Sequence, residues 1–205
     1  APAPVGDDPT ALRAFFSQVG ERAGIPIMLQ NAPVPIGSGL SVDLILEVAT
    51  AVPAIRYVKE ETLPSGQRIT RLIDNHPASI EGVFGGAGGR YIIDELNRGV
   101  AGTLPASELT EAHVAMVRAH DADHKAEARE IFNRILPLLN MQAIFRMRLT
   151  KAVLKARGIF TTEMVRDGSP ELDTGDREEL RILLDEVDDL LTVTPPAPKS
   201  VLVTA

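Results

Sequence analysis

Apolar residues recur along the first 120 positions in two alternating rhythms, short continuous runs and longer stretches with a helical period. Asp8-Pro9-Thr10 opens a helix with Asp7 or Asp8 as its cap; Leu12, Phe15, Phe16 and Val19 share one face, and Gly24 ends it. A buried strand over 25–30, a Gly- and Pro-rich loop over 31–39, and a helix from Ser41 to residue 52 follow. The same spacing predicts strands over 54–59, 79–84 and 101–104. The intervening helices run over 67–75, from the glycines at 85–89 to Arg98, and over 107–120. One leading helix and four strand-helix units make the pattern of βαβ units around a parallel sheet, so the fold class is α/β.

The strand signal stops at Asp121. Three helical runs follow, over 124–139, 141–157 and 176–191, and the last residues carry Pro195, Pro196 and Pro198 without periodicity. The expected organisation is an α/β region over 1–120, a helical extension over 121–194 and a flexible tail over 195–205. Four strands do not close an eight-stranded barrel, which takes roughly 200 to 250 residues before any extension. The alternatives are a small open sheet or part of a barrel.

Composition narrows the function classes. The net charge is −7, and the chain lacks the clustered Lys and Arg that a phosphate backbone or an anionic membrane requires, so neither a nucleic acid nor a membrane is an expected partner. No apolar run reaches the length of a membrane span, and a cytoplasmic location is expected. The absence of Cys removes thiolate nucleophiles and thiolate metal sites. His113 and His120 are two turns apart; His120 and His124 have ligand spacing but no third partner, so no metal site is expected. The cluster Gly85 to Gly89 has neither a GxGxxG pattern nor a Walker lysine and reads as a tight turn. Asp185, Glu186, Asp188 and Asp189 read as a solvated helix face.

Of five lysines, Lys59 alone lies in the strand-helix region, at the carboxyl end of its strand. In α/β barrels that edge gathers the chemistry. Alternation puts Ile55, Tyr57 and Lys59 on one face, and an amine held on an apolar inner face is desolvated and freed to attack a carbonyl. On spacing alone, a lysine snorkelling from a strand end into solvent is the commoner arrangement.

The run Tyr57-Val58-Lys59-Glu60-Glu61 resembles the Schiff-base strand, the sixth of the barrel, in the dihydrodipicolinate synthase and N-acetylneuraminate lyase family. The neighbours agree in order. Ile27-Met28-Leu29-Gln30-Asn31-Ala32-Pro33 resembles the end of the fifth strand, Gly85-Gly86 the end of the seventh, and Gly99-Val100-Ala101-Gly102-Thr103-Leu104 the run into the eighth; the C-terminal helices match as well. The resemblance implies a (βα)8 TIM barrel of which this chain carries strands five to eight. Ala1 to Pro4 would be the loop leaving strand four, and strands one to four would come from another chain or segment.

It further implies a cofactor-free class I lyase in which Lys59 forms an imine with a 2-keto acid, in a homo-oligomer, a tetramer of whole barrels. Gln30, Asn31, Gly85, Gly86 and Leu104 take the places of substrate-binding residues. Gln30 also stands where the family has a proton-relaying Tyr, and an amide cannot do acid-base work. The Gln-Asn-Ala-Pro form of this strand resembles the branch containing L-2-keto-3-deoxyarabonate dehydratase, which favours dehydration of a 2-keto-3-deoxy sugar acid over retro-aldol cleavage releasing pyruvate. A non-catalytic half-barrel subunit is the third reading. In the dehydration reading the proton carrier would be Glu61, Glu81 or a group on the missing half of the barrel; as ordinary residues, Glu61 would be a solvated loop charge and Glu81 a paired structural carboxylate.

Overall fold

The computed structural model describes residues 4–166 and 168–193. The flexible tail expected at 195–205 lies outside the described residues. Two compact units divide the chain, Ala1–Pro105 and Ala106–Ala205, so the helix expected to close the α/β region groups with the helical one.

In the first unit, helix α1 (Pro9–Ala23) starts at Asp8, whose carboxylate accepts from the Ala11 N–H at 2.6 Å, and ends at Gly24, whose φ of 63° is the left-handed conformation glycine adopts without strain. It leads into β1 (Ile27–Asn31), α2 (Val42–Ala51), β2 (Ile55–Glu60), α3 (Ser65–Asn75), β3 (Gly82–Gly85), α4 (Ile92–Asn97) and β4 (Gly102–Thr103). The expected Ser41 cap is present. All four strands are parallel, in the order β1-β2-β3-β4, as consecutive βαβ units require. Gln30 pairs with Lys59 and Lys59 with Phe84 across the sheet.

Helix and strand faces meet in one core. Leu12, Ile45, Val48, Ile69, Leu72 and Ile92 from the helices and Leu29 and Val58 from the strands are almost wholly buried. Each contributes about 1.5 to 3 kcal/mol of hydrophobic burial before entropy is subtracted. On β2, Val58 and Glu60 are buried, whereas Tyr57 and Lys59, on the other face, are partly open. On that face the rings of Tyr57 and Phe84 meet edge to face at 6.0 Å.

The strand expected over 79–84 begins only at Gly82, because residues 77–80 form a turn in which the Ile80 N–H bonds to the Pro77 carbonyl. The second unit is helical: α5 (Thr110–Asp121), α6 (Lys125–Phe145), α7 (Met147–Ala156) and α8 (Thr174–Asp185). The break expected near Asn140 falls instead at Arg146, at φ 49°. Leu138, Leu139, Met141 and Phe145 carry the buried stripe of α6 past Asn140, and that continuous stripe keeps the helix going. Helix α8 stops at Asp185, short of the expected 191, and a capping box between Asp173 and Asp176 fixes its start. Its acidic run is paired in part, Asp185 with Arg181 and Asp189 with Arg134. No helix among the described residues is long and apolar enough to cross a membrane.

Candidate active site

The carboxyl ends of β1, β2 and β3 bring one carboxylate under three donors. The chain turns after Glu60, where the Glu61 N–H bonds to the Asn31 carbonyl at 3.0 Å, and this returns the Glu61 side chain to the face that carries Lys59. Lys59 Nζ lies 3.2 Å from Glu61 Oε1, and both side chains are about 85% buried, at 15% and 14% exposure. Gln30, the register partner of Lys59, donates from Nε2 to Glu61 Oε2 at 2.6 Å. The Ala87 N–H, in the glycine-rich turn after β3, donates to Oε1 at 2.8 Å. Burial alone would raise the Glu61 carboxyl, but the Ala87 amide, the Gln30 amide and the Lys59 ammonium outweigh it and hold the group below its ordinary range. Glu61 is therefore an ionised acceptor touching the amine.

Gly85 and Gly86 belong to the same construction. A methyl group on Gly86 would lie 2.3 Å from Glu61 Oε1, and one on Gly85 would lie 1.8 Å from Glu95 Oε2. The glycines are there because two carboxyl groups press on consecutive α-carbons. Leu104, just past β4 and exposed, donates its N–H to the Gly85 carbonyl at 3.2 Å and pins the turn from the other side.

Two expected site residues sit elsewhere. Asn31 is 1% exposed on the opposite face of the sheet. Its Oδ1 accepts from the Leu40 N–H at 2.8 Å, and its Nδ2 donates to the Leu40 carbonyl and to Glu60 at 2.9 Å. Glu60 in turn is completely buried, accepts from the Thr62 N–H at 2.7 Å and pairs with Arg68 at 3.2 Å. This buried network ties strand ends to α3, so Asn31 acts as scaffold and has no surface to offer a substrate. Glu81 precedes β3 at the opposite end of that strand and is held by the Tyr57 hydroxyl at 2.5 Å and by Arg56. The structure does not bring it to Lys59; it is the paired carboxylate of the plainer reading.

The residue that sequence reasoning missed is Glu95. It is wholly buried in α4, its Oε1 accepts from Ser65 Oγ at 2.9 Å, and its Oε2 has no hydrogen-bond partner. Burial, with Asp94, Glu61 and Glu60 adding like charge and Ser65 opposing, pushes its carboxyl up to about 7. A signal was available: Glu95 stands between Ile92, Ile93 and Leu96 on the apolar side of a short helix. Among the described residues no group of three or more His, Cys, Asp or Glu is arranged to hold a metal ion.

A model of the dihydrodipicolinate synthetase family matches residues 7–187. The chain belongs to that family. L-2-keto-3-deoxyarabonate dehydratase of Azospirillum brasilense is 26% identical to it over 178 residues, which is 86% of this chain and 57% of that protein. The dihydrodipicolinate synthase structure from Rhodopseudomonas palustris superposes with a TM-score of 0.78 at 22% identity, covering 90% of this chain and 64% of that one. The enzyme of the same name from Aquifex aeolicus gives 0.74 at 21%, covering 89% and 62%. These two likenesses speak for the fold, a parallel α/β sheet of the family's TIM-barrel kind. The chain spans 57 to 64% of the length of these relatives.

Proposed function

We propose that Lys59 forms an imine with the C2 carbonyl of a 2-keto acid and that the reaction is dehydration of a 2-keto-3-deoxy sugar acid. The observation that supports this most is the Lys59–Glu61 pair, an amine and an ionised carboxylate 3.2 Å apart and largely desolvated at the edge where parallel strands finish. Glu61 accepts a proton from the Lys59 ammonium, and the free amine adds to C2. Glu61 then returns the proton to the carbinolamine hydroxyl, which leaves as water while the C=N bond forms. The protonated imine draws electrons from C3; loss of a C3 proton and departure of the C4 hydroxyl, protonated to water, give an unsaturated imine that hydrolysis releases. The imine is itself the electron sink, so this sequence needs no cofactor.

Gln30 fits dehydration. Its amide orients Glu61 and carries no transferable proton, so the carboxylate takes the acid-base role that the family's Tyr would have. The family resemblance assigns Gly85, Gly86 and Leu104, at the edge of the same turn, to contacts with the substrate. Four further parallel strands, from another segment or chain, would close the sheet into a barrel and wall the pocket; the half-open face of Tyr57 and Lys59 supports this. The family resemblance extends the proposal to an oligomer of such barrels.

The test is borohydride trapping with pyruvate or a 2-keto-3-deoxy acid, with the mass increment mapped by peptide. Label on Lys59, lost in Lys59→Ala, is the expected result; label elsewhere or none refutes the imine. Product analysis then separates a dehydrated keto acid from pyruvate plus an aldehyde, the retro-aldol outcome.

A further inference from the structure

We propose that Glu95 is a positioning residue of the Lys59–Glu61 pair, backing the Gly85–Gly86 turn from behind so that the turn's amide stays aimed at Glu61. The proposal deepens the assignment of Lys59 as the reacting amine and rests on it for its meaning.

The geometry is a two-sided clamp. Glu95 Oε2 presses on Gly85 and Glu61 Oε1 on Gly86, neighbouring α-carbons only about 3.8 Å apart. The next residue, Ala87, donates the amide that holds Glu61, and it does so at φ 51°, in the left-handed region where a side chain costs about 1 kcal/mol or more. A turn held in that conformation needs support on its far side. Glu95 supplies it, and Ser65 at the first turn of α3 fixes Glu95 in place.

A packing role alone would be met by an apolar side chain. Glu95 instead keeps a carboxyl oxygen buried without a partner, a costly arrangement that the neutral acid form relieves. The groups that act on it are Ser65 from α3, Glu60 and Glu61 from the end of β2, and Asp94 beside it on α4. Each of the three carboxylates has a cation of its own, Glu60 with Arg68, Glu61 with Lys59 and Asp94 with Arg98. When Glu95 loses its proton, a negative charge appears directly behind the turn, where it holds protons on the pair it backs. The position of the turn and the proton occupancy of the reacting pair are thereby joined.

The experiment is competitive acetylation of the intact chain with peptide mapping, which reads the nucleophilicity of Lys59 across roughly pH 5 to 9 without any substrate. Wild type, Glu95→Gln and Glu95→Ala are compared, each checked for folding by circular dichroism. In wild type the Lys59 profile is expected to break near neutrality. Glu95→Gln, which keeps the shape and cannot ionise, should match wild type at about pH 6 and react about three to ten times faster above the break. Glu95→Ala should depart from wild type even at the acid end, and the Gln variant restores that. Superimposable Lys59 profiles for wild type and Glu95→Gln over the whole range would overturn the proposal, and that comparison decides the matter even if the Ala variant does not fold. Borohydride trapping on the same wild-type samples keeps the two ideas apart: absence of an imine removes the lyase reading, whereas the acetylation profile still answers for Glu95.

Discussion

Gln30 and Lys59 are register partners on adjacent parallel strands, and both reach the same carboxylate, Glu61, at 2.6 and 3.2 Å. The contact is possible because Glu61 follows the last residue of β2 and is turned back over the sheet by its N–H bond to Asn31. Strand pairing thus sets the distance between an amide, a carboxylate and an amine.

Replacing Glu61 by Gln keeps the side chain's size and removes its ability to take a proton. Imine trapping at Lys59 is expected to slow by about 10²- to 10⁴-fold while thermal unfolding changes little. A trapping rate within a factor of about three of wild type would show that another group moves the proton.

Gly86→Ala places a methyl 2.3 Å from Glu61 Oε1, so the carboxylate must leave its three donors. Trapping at Lys59 should fall with little loss of helical signal. Gly85→Ala meets the buried Glu95 at 1.8 Å, where neighbours cannot yield, and a loss of about 1 to 3 kcal/mol in urea unfolding is expected. Equal effects of the two substitutions on stability would contradict the two-sided arrangement.

Asn31→Ala takes two donor contacts from Glu60, a fully buried carboxylate. A destabilisation of about 1 to 3 kcal/mol follows, measurable as a lower urea midpoint, and the folded variant should still be trapped at Lys59. Loss of trapping without loss of stability would return Asn31 to the substrate.

Glu95 gives stability a pH dependence of known sign. Its carboxyl titrates near the ordinary 4.5 in the unfolded chain and near 7 in the folded one, so between those values the native state holds a proton that the unfolded state lacks. Stability from this group is complete below about 4.5 and is lost as pH rises to 7, by about 3 kcal/mol. Glu95→Gln should flatten that fall, with urea midpoints above wild type at pH 8 and equal to it at pH 5; parallel curves would count against the assignment.

Much of this was legible in the amino-acid order. Alternation on β2 placed Lys59 at a strand end, and the Asp8, Ser41 and Gly24 signals set helix limits, because caps act locally. What depended on partners far along the chain was not. The start of β3 is set by a turn at Pro77 and by pairing with β2, which moves Glu81 out of the strand. Asn31 and Gln30 are neighbours with opposite fates, and strand parity alone does not say which face the helices cover. Glu95 was hidden because a carboxylate at an apolar helix position gains meaning only once the glycines it touches are known.

The buried network of Asn31, Glu60 and Arg68 lies on one side of the sheet, and Gln30, Lys59 and Glu61 lie on the other. A single strand thereby insulates two sets of demands that adjoin in the chain. On the proposed chemistry, residue 30 is free to be retuned for new substrates by amide, hydroxyl or phenol without loosening the architecture, whereas residue 31 is locked. Laboratory evolution aimed at altered selectivity should accumulate its accepted changes at the first of these positions and almost none at the second.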